Sequence, residues 1–486
     1  MGKIKNSIIE KITVEDYAAE GKSIGRLNGK VIFIENVVPG DIVDVKIFKS
    51  KKDWAEGYPV LFHEFSSERV EPFCSHFGTC GGCQWQMLPY QKQLQYKQKQ
   101  VEDNLRRIGK IQLPGLMPII GATEDRFYRN KLEYTFSNRE FLTEEEFRKI
   151  KNESLKAGIG ETPALPGSPG TGKAVAGFHA KGIFDKIIDI QTCFLQAEPT
   201  NALRLAVKEF AKANHYSFYD IKNHQGFMRN LQVRICTTGE TMVNIVLGED
   251  DETEIKRLLD FVVEKFTGIT TLLYTVNRKW NDSLNDLDPV VYYGKGYIIE
   301  RMEDFLFKIG PKSFFQTNTK QGEKLYRVAR EFAELTGKET VYDLYCGTGS
   351  IGIFLSGGAG KITGVEMIAA AVQDARENAA LNKLQSAEFY TGDVIDICNE
   401  HFFSSHGEPD VIVVDPPRAG LHIKLIEKIL EMQAPTVVYV SCNPATQARD
   451  LQKLDEKYSV TKIQPVDMFP HTHHIENVVQ LKLREI

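Results

Sequence analysis

The sequence predicts an α/β protein built in three parts: a small N-terminal β-barrel, a central α+β region, and a C-terminal doubly wound domain with a mainly parallel sheet. Three observations predict it. Residues 1–64 contain several short strand-like runs broken by turn residues. Three cysteines crowd into residues 74–83. From about residue 320, apolar strand-like runs alternate with helix-like stretches, the pattern of a parallel sheet covered by helices. A chain of 486 residues has room for two to four domains of roughly 100–200 residues each. Its 42% hydrophobic content is enough to fill their cores. Sixty basic against 65 acidic residues exclude a generally basic nucleic-acid coat, but residues 1–110 carry 17 Lys/Arg against 14 Asp/Glu and leave room for a local basic surface. No apolar run reaches the roughly 18 residues of a membrane span, and the polar start lacks a secretory core. Eight cysteines are too sparse for a disulfide scaffold. The expectation is a cytoplasmic protein whose cysteines are free to act as ligands or nucleophiles.

Each part follows from its own residues. In the first, runs at 31–34 and 42–48 flank Pro39-Gly40-Asp41, which is turn chemistry. Small barrels of this kind commonly bind oligonucleotides, although a scaffolding role fits equally well. Residues 89–108 predict a helix with Leu94, Val101, Leu105 and Ile108 as its apolar positions. Its basic residues predict a solvated face, with phosphate contact as the alternative. Strand-like pieces at 128–137, 231–236 and 242–247 define the central region. The charged and Pro/Gly-rich stretch at about 140–173 is expected to be a surface insertion. Strands at 340–345, 361–365, 411–414 and 436–440 define the last domain.

The glycine turn of that domain is the first chemical signal. Val341-Tyr-Asp-Leu-Tyr345-Cys-Gly347-Thr-Gly349-Ser350-Ile-Gly352 places a strand before a glycine loop and a helix after it. Glu366 ends the next strand, where its carboxylate can accept hydrogen bonds from two ribose hydroxyls, and Asp393 is expected to close a third strand beside an adenine. Gly347-x-Gly349-x-x-Gly352 formally matches a dinucleotide fingerprint, so NAD and S-adenosylmethionine compete for this site. The tie is broken downstream, where a dehydrogenase leaves two motifs without a task.

Those motifs deliver reactive groups to one sheet edge. Val411-Ile-Val-Val-Asp415-Pro416-Pro417-Arg418 ends an apolar strand in an acid whose loop two prolines stiffen. Val437-Val-Tyr-Val-Ser441-Cys442-Asn443-Pro444 delivers a thiol in the same way. A lone cysteine is usually a small buried hydrophobe, but this one follows its strand among polar neighbours and is read as a nucleophile. In Met468-Phe-Pro-His471-Thr-His473-His474-Ile-Glu476 the spacing matches no standard zinc site. Glu476 is read as a base and the histidines as pocket lining. Phe314 and Phe315, in a predicted strand at 310–318 with Gln316, belong either to the core or to a surface on which a base stacks. Cys74-x5-Cys80-Gly-Gly-Cys83 brings three thiols into one loop. With a distant fourth cysteine they suit a [4Fe–4S] cluster, and with His76 or a remote cysteine they suit zinc.

Taken together, these motifs resemble the TRAM-domain, iron–sulfur family of RNA uracil-5-methyltransferases that modify 23S ribosomal RNA in bacteria. The resemblance covers nearly the whole chain. It implies a TRAM barrel over 1–66, a central domain with the cluster loop and an RNA-contacting sheet over 67–308, and an S-adenosylmethionine-dependent methyltransferase domain over 309–486. It makes Cys74, Cys80, Cys83 and Cys193 the ligands of a [4Fe–4S] cluster without a redox step. It places Gln316, Tyr345, Gly347, Ser350, Glu366, Asp393 and Asp415 against the cofactor, with Ser350 standing where relatives often carry Asn. Cys442 becomes the nucleophile and Glu476 the base, and Tyr128-Arg129-Asn130-Lys131 matches a central-domain motif. The implied partner is 23S rRNA with a flipped-out uridine, bound by a monomer away from any membrane. The residue roles make chemical sense by themselves. Thiolate addition at C6 of uracil makes C5 nucleophilic, and a base must remove the C5 proton before the thiolate can leave. The base must also leave its stack to be reached. A tRNA uracil-5-methyltransferase, expected to lack the barrel and cluster segments, an NAD-dependent oxidoreductase and a non-catalytic RNA-binding module are the alternatives.

Overall fold

The computed structural model describes residues 7–143, 146, 148, 149 and 173–485, so most of the insertion expected at 140–173 lies outside the described residues. Five strands, β1 (Ile8–Tyr17), β2 (Ser23–Leu27), β3 (Lys30–Ile34), β4 (Ile42–Ser50) and β5 (Trp54–Glu64), close into a barrel in the order β1-β2-β3-β5-β4. Alternation explains its core: Val43, Val45 and Ile47 of β4 point inward with Ile12, Val14, Ile32 and Ile34. The Pro39-Gly40-Asp41 turn is fixed by buried Asp41, which accepts from the Val38 and Ser66 N–H groups and pairs with Arg69.

After the cysteine segment comes a helix, α1 (Tyr90–Asn104), continued by a wider turn over Leu105–Gly109. Leu94, Val101 and Leu105 are buried as expected, whereas Ile108 is exposed. The expected solvated basic face needs one correction. Lys97 is fully buried, 2.6 Å from an equally buried Asp467. Burial pulls its ammonium pKa down while Asp467 opposes the shift, so the chain keeps an internal ion pair where composition predicts solvent.

The central region is a seven-stranded sheet in the order β12-β11-β10-β9-β6-β7-β8. Its strands are β6 (Lys131–Ser137), β7 (Val175–His179), β8 (Ile187–Asp189), β9 (Met228–Ile235), β10 (Thr241–Leu247), β11 (Thr271–Val276) and β12 (Val290–Tyr293). Helices Thr200–Ala213 and Glu252–Lys265 turn Leu203, Val207, Leu258 and Val262 into its core. A two-stranded ribbon, β13 (Ile298–Met302) with β14 (Phe305–Ile309), leads to the last domain. The strand predicted over 310–318 is absent. Pro311 and a turn in which Gly310 N–H donates to Ser313 Oγ break the pleat, leaving Phe315 in the core and Phe314 67% exposed.

The C-terminal sheet runs β17-β16-β15-β18-β19-β21-β20. Strands β15 (Thr340–Leu344), β16 (Lys361–Glu366), β17 (Ala387–Thr391), β18 (Val411–Val414) and β19 (Thr436–Ser441) are parallel, so their C-terminal ends share one edge. Strand β21 (Glu476–Leu483) runs antiparallel between β19 and β20 (Tyr458–Val466), which brings its first residue to that same edge.

Candidate active site and a four-thiol cavity

The edge is built from strand ends. Past β15, Tyr345 (φ +65°), Gly347 (φ +53°) and Gly349 (φ +74°) turn the chain through left-handed conformations before the helix Ser350–Leu355. The glycines differ in purpose. A Cβ on Gly347 meets nothing within 4 Å, so its face is open to a ligand, whereas one on Gly352 lies 2.9 Å from Asp343 Oδ2. Gly352 N–H donates to that oxygen, and burial, with Asp415 and Glu366 nearby, raises the Asp343 pKa to about 7. Sequence reading missed Asp343, although an acid inside an apolar strand is its signal.

Glu366 Oε2 accepts from Gly347 N–H at 3.3 Å and Oε1 from Ile368 N–H at 2.9 Å, which leaves each oxygen a further lone pair. Asp393 does not close a strand as expected. β17 ends at Thr391, and Asp393 caps the short helix Val394–Ile397 by accepting from Ile395 N–H. Ser350 Oγ pairs with Tyr326 Oη at 2.9 Å inside the fold. Gln316 is held from the central region: Asn130 Nδ2 donates to the Gln316 carbonyl and to Thr319 Oγ1, and Tyr128 Oη donates to the Pro470 carbonyl. The Tyr128–Lys131 motif therefore clamps both sides of the C-terminal edge.

Cys442 leaves β19 just before the helix Pro444–Leu454, whose cap Asn443 accepts from Ala445 N–H. Ser441 pairs with Asn477 across β19 and β21, so Cys442 and Glu476 stand one step further along the same antiparallel register. Burial, then Glu476 and Asp415, push the Cys442 thiol up to about 11, against which Arg418 pulls down. Asp415 is raised to about 7 by burial. Glu476, 7% exposed, is raised well above its ordinary value by burial and by Asp415. A cavity of about 260 Å³ opens over Cys442, lined by Arg418, Asn443, His473 and His474, by Gln100 and Asn104 of α1, and by Glu20 of the barrel.

All three histidines line cavities, but not the same one. His471 (φ +63°) turns away into a second cavity. Its N–H donates to Gln93 Oε1, and its carbonyl accepts from the Gln84 and Trp85 N–H groups. This second cavity, about 340 Å³, gathers Cys74, Cys80, Cys83 and Cys193, all free thiols. Burial and mutual charge repulsion raise Cys83 to about 11 and Cys193 to about 12. His76 lines it too, but its Nε2 accepts from Gln191 N–H, which occupies the lone pair that a metal needs. Among the described residues, no group of three or more His, Cys, Asp or Glu side chains is placed to hold a metal ion. No described helix is long and apolar enough to cross a membrane.

Comparison with known proteins decides the family. Residues 9–60 match the TRAM domain and residues 292–484 match the family described as tRNA (Uracil-5-)-methyltransferase. An uncharacterised RNA methyltransferase of Bacteroides thetaiotaomicron is 51% identical over 471 residues, spanning 96% of this chain and all of that one. The chain belongs to the TRAM-containing RNA (uracil-5-)-methyltransferase family. A second such relative, from Porphyromonas gingivalis, is 45% identical over 96% of this enzyme and 98% of its own length. The crystal structure of Pyrococcus abyssi tRNA (uracil-54, C5)-methyltransferase in complex with S-adenosyl-L-homocysteine is similar at TM-score 0.72 and 28% identity, over 96% of this enzyme and 99% of that chain. That similarity corrects one expectation. An enzyme named for tRNA shares nearly the whole architecture, so full-length architecture does not separate rRNA from tRNA enzymes. Family membership also replaces the dinucleotide reading of the glycine loop.

Proposed function

We propose that this enzyme methylates C5 of a uridine through a covalent adduct between Cys442 and C6 of the base. The observation that carries the reading is the register of β19 and β21, which puts Glu476 one step beyond the Ser441–Asn477 pair, beside the thiol that lines the cavity. Cys442 Sγ adds to C6, and C5 becomes the nucleophile. Glu476, its basicity raised by burial, then takes the C5 proton so that the C6–S bond can break. Exposed Phe314 offers a face on which the flipped base stacks.

S-adenosylmethionine, when bound, supplies the methyl group. The open face of Gly347 and the free lone pairs of Glu366 fit its adenosine, and the S-adenosyl-L-homocysteine bound in the Pyrococcus enzyme supports the assignment. Gln316, Tyr345, Gly347, Ser350, Glu366, Asp393 and Asp415 are the residues proposed to hold it. A [4Fe–4S] cluster is the group proposed for the second cavity, because four thiols line it and the His76 Nε2 that zinc would use is already engaged. There it would tie the 74–83 loop to Cys193 without taking part in the reaction.

The proposed substrate is 23S rRNA, on the strength of the motif resemblance. A tRNA is the second reading, favoured by the Pyrococcus structure. Nucleoside-resolved mass spectrometry of both RNAs from cells with and without the gene tests the proposal. A 5-methyluridine lost from rRNA supports the first reading and one lost from tRNA the second. No loss from either overturns both.

A further inference from the structure

The Asp415-Pro-Pro-Arg418 motif contributes a second charged residue to which the mechanism above gives no task. Its placement is specific. The Arg418 carbonyl accepts from Asn443 Nδ2 at 3.1 Å and from Thr446 Oγ1 at 3.2 Å, so the turn that presents Cys442 also grips Arg418. Its guanidinium lies against His474, with Nη2 3.0 Å from Nδ1 and 3.3 Å from Nε2. A guanidinium only donates, so His474 must accept and is therefore neutral in this pair.

The charges around the cavity make the placement matter. Glu476 and Asp415 face Cys442 from β21 and from the end of β18, and Glu20 joins the rim from the barrel. His473 and His474 offer no positive charge near neutral pH, since burial and neighbouring cations lower them to about 4 and about 3. Among the described residues lining the cavity, Arg418 is the only lysine or arginine. A thiolate formed here, with RNA phosphates arriving, has one cation at hand.

We propose that Arg418 is the charge-compensating residue of the Cys442 cavity, and that its guanidinium, held against His474, stabilises the thiolate that adds to the base. This rests on Cys442 being the nucleophile. His474 is then a positioning residue that acts through Arg418.

The test reads the thiol directly. The full-length protein is alkylated with iodoacetamide at fixed pH values between 7 and 10, where the rate follows the thiolate fraction, and modification of the Cys442 peptide is timed by mass spectrometry. An opposite charge at close range shifts a pKa by roughly one to three units. Arg418→Met should raise the Cys442 midpoint by at least about one unit, slowing alkylation about tenfold at any pH below it. Arg418→Lys, which keeps the charge, should restore most of the shift. His474→Phe, which frees the guanidinium, should give a smaller shift in the same direction. S-adenosylhomocysteine binding should be unchanged in all three and reports that they are folded. An unchanged alkylation rate in Arg418→Met overturns the proposal. So does a rise in KM for RNA alone, which would make Arg418 a phosphate contact. Methylation surviving in Cys442→Ala would instead sink the nucleophile reading, whatever the titration shows.

Discussion

Cys442 and Glu476 face each other because Ser441 pairs with Asn477. A thiol that follows a parallel strand and an acid that opens its antiparallel neighbour meet only if β21 inserts between β19 and β20, as it does here. The placement of the proposed pair is thus set by sheet topology: Glu476 opens β21 and Cys442 is the first residue past β19. Rigid elements hold such geometry more tightly than loops do.

The ion pair between Lys97 and Asp467 anchors that arrangement from behind. Lys97 Nζ also donates to the Phe469 carbonyl, and Tyr90 Oη donates to Asp467 Oδ2, so α1 holds the segment that leads into His471–Glu476. Lys97→Met leaves the Asp467 carboxylate buried without its partner. We expect a loss of about 3–5 kcal/mol in unfolding free energy, read by urea titration. A loss below about 1 kcal/mol would show that the pair is not buried in solution.

Asp343 predicts a pH dependence. Its pKa rises on folding from about 3.8 to about 7, so its stabilising contribution is complete below pH 3.8 and is lost as pH rises toward 7. Asp343→Asn keeps an acceptor for Gly352 N–H and removes the titration. Between pH 4.5 and 8 the variant should lose less stability than the parent, by on the order of 1–3 kcal/mol. Parallel stability curves for the two proteins would contradict the assignment.

The four-thiol cavity predicts bound iron. Protein purified without oxygen should be brown, absorb broadly near ~400 nm and contain iron that Cys83→Ser removes. Soluble yield and RNA affinity of that variant should fall further than its affinity for S-adenosylhomocysteine, because the cavity and the glycine turn lie on different elements. One equivalent of zinc and no iron would contradict the cluster.

What the sequence discloses follows from the range of the interactions involved. Runs such as 411–414 and 436–440 are legible because a strand buried on both faces is apolar throughout, and the residue that breaks the run marks the sheet edge. Asp415 and Cys442 could be read this way. Lys97 could not, because a lysine among glutamines and lysines carries no sign of an acid 370 residues away. Nor could the separation of His471 from His473, which depends on one left-handed residue and on Gln93 in a distant helix. Asn130 escaped a specific role because its partner Gln316 is 186 residues off. Asp393 was misplaced by two residues because a strand end and a helix cap look alike in so short a segment.

The central claim is that Cys442 bonds to the base and Glu476 releases it, and one variant tests both. Glutamine at position 476 keeps the shape of the side chain but cannot accept the C5 proton. Glu476→Gln, incubated with RNA and methyl-labelled S-adenosylmethionine, should stall after methyl transfer. A protein–RNA adduct stable to denaturing electrophoresis and carrying the methyl label should then accumulate. Adding Cys442→Ala should abolish the adduct while leaving S-adenosylhomocysteine binding intact. Normal turnover by Glu476→Gln, or the absence of any labelled adduct, would contradict the account and pass the role of base to another group at the same edge.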